Sequence, residues 1–377
     1  MINKYIHIIL LWAAVFVSGC VVDRIRPFTE ASDISPQTEG ERRLWRQADD
    51  VVEAVKKSHQ MYRGNGLQNY MQSIMDKLYP EFKGSFNVHI MKAPIANAFA
   101  LPNGAIFLCT GIIAAMDNEA QLATVLSHEG IHFLRKHGAL RRKMVRNVGG
   151  AAILVPLFGD LAAISSICGY SREQEREADR LGILRMVQAG YRLEETVTAF
   201  ERLVLEAEGN ETPLPYFFSS HPKMKERIHW YRNFIEENGS NGTWTGEQVY
   251  QEQVAELREE VIKEKVLIGR YNSVIKTLTH GKLKTYYPHH CMYYLGEAYR
   301  LRNETGDTAK ATAAYKQVEE KSPGYAPTYK SLGIIYFKEK KYSLAKTKFE
   351  KYLQLCTDCK DIDFIKEYLK QIEEQGP

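Results

Sequence analysis

Apolar residues between Glu41 and Tyr62 fall at Leu44, Ala48, Val51, Val52 and Val55, the stripe of an amphipathic helix. A second helical stripe runs from about Leu67 to Leu78. The period then drops to two: Phe86, Val88 and Ile90 share one face between Ser85 and Met91, which predicts a half-buried strand. Ala105 to Cys109 predicts a second short strand after the turn residues Pro102-Asn103-Gly104. Helical spacing dominates from there to about Glu237. The following stretch, Glu237-Asn238-Gly239-Ser240-Asn241-Gly242-Thr243, reads as a linker. The pattern predicts a mostly α chain of α+β type with one small sheet near its start.

Behind the linker the chain changes character. Tyr329, Leu332, Gly333, Tyr336, Ala345 and Phe349 sit at the offsets of a tetratricopeptide repeat. An earlier copy is carried by Leu295, Gly296, Tyr299, Ala311, Tyr315 and Pro323, with an insertion near Asn303 to Gly306. Residues 249 to 280 read as a more degenerate helix pair. One pair cannot cover its own apolar face, so copies stack into an α-solenoid; a generic helical bundle is the alternative.

A length of 377 residues fits two domains better than one. The predicted division is a leader at 1–20, a tether at 21–40, a first domain at 41–236, a linker at 237–248 and the repeats at 249–377. The formal charge of +4 is spread along the chain, which argues against nucleic acid as a partner. The cysteines are Cys20, Cys109, Cys168, Cys291, Cys356 and Cys359, a spacing that matches no zinc knuckle. Cys356 and Cys359 form a lone CxxC pair, read as a disulfide or two unreactive thiols.

Lys4 and the apolar run Ile6 to Val17 read as an export signal, the run being too short to span a bilayer comfortably. It ends in Val17-Ser18-Gly19-Cys20, which resembles the lipobox of bacterial lipoproteins. That resemblance implies acylation of Cys20 and a membrane tether. Val21 in place of Asp implies, by likeness to Gram-negative lipoproteins, the periplasmic face of the outer membrane. An ordinary cleaved signal or an uncleaved anchor is the alternative.

The segment that carries chemistry is His128-Glu129-Gly130-Ile131-His132. On a helix the two histidines are one turn apart and can reach one zinc ion, with Glu129 beside them as a base. The flanks Val125, Leu126, Phe133 and Leu134 are apolar, so the helix is buried and its imidazoles need partners. A catalytic zinc needs a third ligand. His137 is out of register for that task if the helix continues. Glu175 and Asp179 share a face of a later helix capped by Ser171, so Glu175 can ligate while Asp179 orients a ligand histidine. Glu177 would then point away.

Asn97 to Gly104, the HEGIH segment and Ser171 to Gly182 together resemble family forty-eight of the metallopeptidases. This is the group of the CAAX-prenyl endopeptidases and HtpX-type proteases, and the repeats match its BepA-like branch. The resemblance covers about residues 41 to 235. It implies a gluzincin-type fold, one zinc held by His128, His132 and Glu175, and Glu129 as catalytic base. It often assigns Asp179 as a proton donor; a hydrogen bond to a ligand histidine is the other role open to it. Ser219-Ser220-His221-Pro222 resembles a His-Pro segment found near the metal in such members. His221 is thus open to stabilising an oxyanion, to plugging the metal, or merely to capping a helix.

Val148 to Cys168 is apolar with Asp160 as its only charge. A bent helical hairpin is favoured there over a span, since an ionised Asp at mid-span costs roughly 2.5–3.5 kcal/mol. The expected function is a zinc-dependent endopeptidase of the bacterial cell envelope, acting on unfolded or misassembled envelope proteins. The repeats would bind a protein partner, and the strand at Ser85 to Met91 would offer an edge to extended substrates. The alternative is a non-catalytic adaptor or chaperone with a structural zinc.

Overall fold

The computed structural model describes residues 26–64, 66–139, 170–208, 221, 223–240, 242–356 and 358–375. The leader with Cys20 and the apolar stretch 148–168 lie outside those residues. The described chain is mostly helical with one three-stranded sheet, as the hydrophobic periods predict.

Helix α1 (Glu39–Lys57) begins at Thr38, whose side chain accepts a hydrogen bond from Glu41 N. It lays Ala48, Val52 and Val55 against Phe99 and Phe107 on one face of the sheet. Helix α2 (Leu67–Leu78) places Met71, Ile74 and Met75 in the main core on the other face.

The sheet order is β1 (Asn87–Met91), β3 (Ala105–Cys109), β2 (Ala98–Ala100). Strand β1 runs parallel to β3 with Val88 opposite Ile106, and β2 runs antiparallel to it with Phe99 opposite Phe107. Three residues are too few to show an alternation, which is why β2 escapes a periodicity reading. Gly104, at φ 84°, makes the turn that joins β2 to β3. The outer side of β1 is partly taken: Tyr62 N donates to Ile90 O at 2.9 Å and Lys92 N to Gln60 O at 2.6 Å. The expectation that β1 offers a free edge is therefore corrected.

Helices α3 (Thr110–Ala115) and α4 (Glu119–Leu134) follow, and every residue of α4 is buried. Gly130 of α4 has no alternative there, because a Cβ would run into the Tyr79 ring. Helices α5 (Arg172–Gln188), α6 (Glu194–Glu208) and α7 (Met224–Asn238) pack around α4.

Helix α8 (Glu247–Leu267) joins the same core through Tyr250, Val254, Leu257 and Val261. Tyr250 donates to Ile113 O at 2.6 Å, and the buried Arg258 donates to Ala114 O at 3.2 Å and Met116 O at 2.6 Å. A cation thus caps the carbonyl end of α3, where it suits the helix dipole. The stretch read as a linker is docked as well. Ala120 N donates to Thr245 O and Arg192 N to Trp244 O, each at 3.0 Å. Helix α8 therefore works as part of the first domain's core, although its sequence groups it with the repeats.

The second half of α8 feeds Ile262 and Val266 into the next cluster, with α9 (Tyr271–Thr279) and α10 (Met292–Arg302). Then come α11 (Asp307–Lys321), α12 (Ala326–Lys338), α13 (Tyr342–Leu355) and α14 (Ile362–Glu374). A Cβ at Gly296 would strike the Tyr315 ring, and a Cβ at Gly333 would strike the Phe349 ring. The α10–α11 and α12–α13 pairs thus repeat one close approach. Glu297 Oε1 links them by accepting from Tyr315 and from Ser331 Oγ at 2.8 Å. Cys356 and Cys359 are joined in a disulfide. Among the described residues no helix is long and apolar enough to cross a membrane.

Candidate metal centre

Asn118 starts α4 by accepting from Gln121 N at 2.9 Å, and the helix runs straight through the core. His128 and His132 then lie on one face with their Nε2 atoms 2.9 Å apart. Helix α5 opens on a capping box, in which Ser171 and Gln174 satisfy each other's backbone amides. It crosses α4 so closely that a Cβ at Gly182 would lie 3.2 Å from Ser127 Oγ. This approach carries Glu175 over the histidines. Its Oε1 is 3.4 Å from His132 Nε2 and its Oε2 is 3.5 Å from His128 Nε2.

His221 completes the cluster. Its Nδ1 is 3.0 Å from Glu175 Oε1 and 3.1 Å from His128 Nε2, while its Nε2 is 3.2 Å from Glu129 Oε1. It is not the cap of α7, which starts at Lys223 without a side-chain cap. Each of His128, His132, Glu175 and His221 offers a ligand atom within 4.8 Å of the other three, and all four are buried. Zn–N and Zn–O bonds of about 2.0–2.1 Å set the edges of a tetrahedron at ~3.3 Å. The separations found here bracket that value. Two imidazole nitrogens this close can share only one proton, so a cation satisfies the pair better than a hydrogen bond does. Glu129 Oε2 is buried with no hydrogen-bond partner among the described residues.

Behind the cluster, Asp179 Oδ1 lies 3.1 Å from His128 Nδ1. Arg227 holds both oxygens of Asp179, and its Nη1 reaches Glu175 Oε2 at 3.1 Å. Tyr231 donates to Asp179 Oδ1 at 2.9 Å. Burial raises the Asp179 carboxyl pKa, but Arg227 and His128 outweigh it and hold the group below its usual value. Glu175 is likewise held well below its range: burial opposes, His221 and Arg227 prevail. The same two-sided balance lifts His221, where Glu175 and Glu129 overcome burial and push it up to about 9. His132 is pulled well below its usual value by burial and by His128.

His132 has its own support, unforeseen in the sequence. Lys136 takes φ 53°, which ends the helix and folds the chain back. His137 Nδ1 then meets His132 Nδ1 at 2.8 Å, and His137 Nε2 meets Glu177 Oε2 at 3.1 Å. With its Nε2–H donating to Glu177, His137 accepts at Nδ1 from His132 Nδ1–H and leaves His132 Nε2 free to ligate. The Tyr170 ring stacks on His132 at 3.6 Å.

Sequence reasoning placed His128, Glu129, His132, Glu175, Asp179 and His221, and the structure brings all six together. It gave no role to Arg227 or Tyr170 and set His137 aside as out of register. Arg227 and Tyr231 are four apart on one face of α7, the spacing of Glu175 and Asp179 opposite them, and that match was the available signal. Asn97, just before β2, is also unexplained by the fold: both polar atoms of its buried carboxamide lack partners among the described residues.

Comparison with known proteins agrees with this geometry. Residues 63–234 match peptidase family M48. The chain is similar to the mitochondrial metalloendopeptidase OMA1 of Schizosaccharomyces pombe, 32% identical over 40% of this chain and 47% of the relative. It is also similar to the beta-barrel assembly-enhancing protease of Escherichia coli, 27% identical over 44% of this chain and 38% of the relative. Human OMA1 is 25% identical over 39% of this chain and 32% of its own length. The chain thus spans less than half the length of each of these relatives.

Proposed function

We propose that this chain, whose residues 63–234 match peptidase family M48, is a zinc-dependent endopeptidase. The observation that carries the reading is the convergence of His128, His132 and Glu175 beside Glu129, whose Oε2 has no partner among the described residues. A zinc ion held there would polarise the scissile carbonyl and acidify an attacking water. His128 and His132 would hold it through Nε2, the nitrogens opposite their hydrogen-bonded Nδ1 atoms. Glu129 takes the proton of the attacking water and returns it to the leaving amine.

Asp179 is the orienting carboxylate of His128. An ionised group gripped by Arg227 and Tyr231 has no proton to give, which favours this role over that of proton donor. His221 lies between Glu129 and Glu175, where a substrate carbonyl must come, which supports a resting role as a plug. The Asn97 carboxamide, without a partner among the described residues, offers both an N–H donor group and an acceptor oxygen, the complement of a peptide group.

The export signal and lipobox support acylation at Cys20 and a place in the bacterial cell envelope, on the periplasmic face of the outer membrane. The substrates proposed are unfolded or misassembled envelope proteins, with a protein partner on the helical pairs. A relative named for enhancing beta-barrel assembly supports that class. Purified Glu129→Gln should keep about one zinc per chain while hydrolysis of an unfolded test protein falls by about 10²–10⁴-fold. Glu175→Ala should lose the metal. Wild-type hydrolysis by Glu129→Gln, or no zinc in the native protein, would overturn the reading.

A further inference from the structure

The first domain is fastened to the chain on either side of it. In front, Phe28 N donates to Leu134 O at 2.9 Å and caps the carbonyl end of α4. Behind, α8 leaves the first core at Leu257 and Val261 and enters the next cluster at Ile262 and Val266. Glu259 sits on α8 at that handover, beside Arg258, which is bonded to α3.

A short 3-10 turn, His289–Cys291, leads into α10 and meets Glu259. His290 Nε2 lies 2.9 Å from Glu259 Oε2, and the Tyr325 ring in front of α12 stacks on the imidazole at 5.3 Å. Cys291 is fully buried beneath and carries a free thiol. Glu259, His290 and Cys291 each offer a ligand atom within 4.8 Å of the other two. Among the described residues, no other group outside the first metal centre brings three such donors together. A carboxylate and an imidazole alone make a partly exposed pair of small worth, and a neutral thiol adds only a weak donor to it. Towards a transition metal all three are ligands, and the mixture of sulfur, nitrogen and oxygen suits zinc(II). Bonds of about 2.3 Å to sulfur and 2.0–2.2 Å to nitrogen and oxygen set tetrahedral edges of ~3.3–3.6 Å. The separations found here span those edges, so small side-chain rotations close the site.

We propose that Glu259, His290 and Cys291 bind a second zinc ion, which pins the repeats to the helix that completes the first domain. The inference does not depend on the peptidase reading, since none of the three residues belongs to the centre at His128. Glu259 comes from a helix anchored in the first core, while His290 and Cys291 come from the turn between α9 and α10. One ion would therefore cross-link the two parts of the chain. The side chains of Glu259 and His290 are about a third exposed, at 35% and 29%, so the ion would load from solvent and the hold on the repeats would follow zinc supply.

The test replaces zinc with cobalt(II), whose bond to a thiolate gives a strong near-ultraviolet charge-transfer band that nitrogen and oxygen ligands do not give. The proposed first centre contains no sulfur, so the band reports the second site alone. The full-length protein, kept under nitrogen with its Cys356–Cys359 disulfide intact, should bind about two cobalt ions per chain and show the band. Cys291→Ser should lose the band and one ion. His290→Gln, a change at a half-buried position, stands in if Cys291→Ser fails to fold. It should weaken the thiolate-bound ion by at least the roughly 10–100-fold that disturbing a ligand-orienting group costs. Glu175→Ala, which empties the first centre, should keep the band. Bound cobalt with no band overturns the second site and leaves the first untouched. A band that survives Cys291→Ser, or one that disappears in Glu175→Ala, comes from another thiol and overturns it too. The band with only one ion bound supports this site and counts against the peptidase reading instead.

Discussion

Arg227 closes on Asp179 with two parallel hydrogen bonds, Nε to Oδ2 at 2.9 Å and Nη2 to Oδ1 at 2.6 Å. Both groups are buried, so neither charge is screened by water and each depends on the other. The pair also faces the metal centre, because Asp179 aims at His128 Nδ1 and Arg227 Nη1 aims at Glu175. One guanidinium therefore orders two of the three proposed ligands from behind.

Arg227→Lys keeps the charge but loses the fork that matches a carboxylate. Zinc affinity should fall by about 10–100-fold, the usual cost of disturbing a group that orients a ligand. Competition against a chelator of known affinity measures it. Arg227→Met should do more, since it leaves Asp179 ionised and unpaired in the core. Native zinc affinity in both variants would mean that Asp179 and Glu175 hold their places unaided.

The chain from His132 through His137 to Glu177 predicts a second such effect. His137→Ala should weaken zinc by about 10–100-fold, and Glu177→Ala should weaken it less, because that carboxylate is partly exposed. His137→Gln, which can still accept from His132 Nδ1, should recover part of the loss. Unaltered zinc affinity in His137→Ala would show that stacking by Tyr170 is enough to orient His132.

These two supports mark the limit of what the sequence discloses. The i, i+4 histidines and the later Glu175-Asp179 pair are spacings within single helices, and a helix turns spacing directly into a shared face. Arg227 reaches Asp179 only because α7, packed on α6, brings that face of its helix to α5, which no local pattern states. His137 reads as out of register because the reading assumes that α4 continues. A lysine at positive φ, with no glycine to announce it, ends the helix instead. The same holds for α8: Tyr250, Val254, Leu257 and Val261 make a legible stripe, but a stripe does not name the surface it covers.

That placement of α8 carries a stability prediction. A chain ended near residue 240 loses Tyr250 and Arg258, and should aggregate or fail to hold zinc. In the full chain, Arg258→Ala leaves the Ala114 and Met116 carbonyls without their donor, at about 1–3 kcal/mol for each. Thermal unfolding followed by zinc release should shift down by several degrees. If the shortened chain folds and binds zinc as the native protein does, α8 is an ornament on the peptidase rather than part of it.

The bond from Phe28 N to Leu134 O also sets a working radius. Should Cys20 carry the lipid, eight peptide steps separate the bilayer surface from the docked phenylalanine. Fully stretched, they reach about 26–29 Å. A lipoprotein on a long linker patrols the space around it; this one would be held within about a protein's width of its membrane. Proteins would be met as they arrive at the lipid surface, before they leave it or disappear into it.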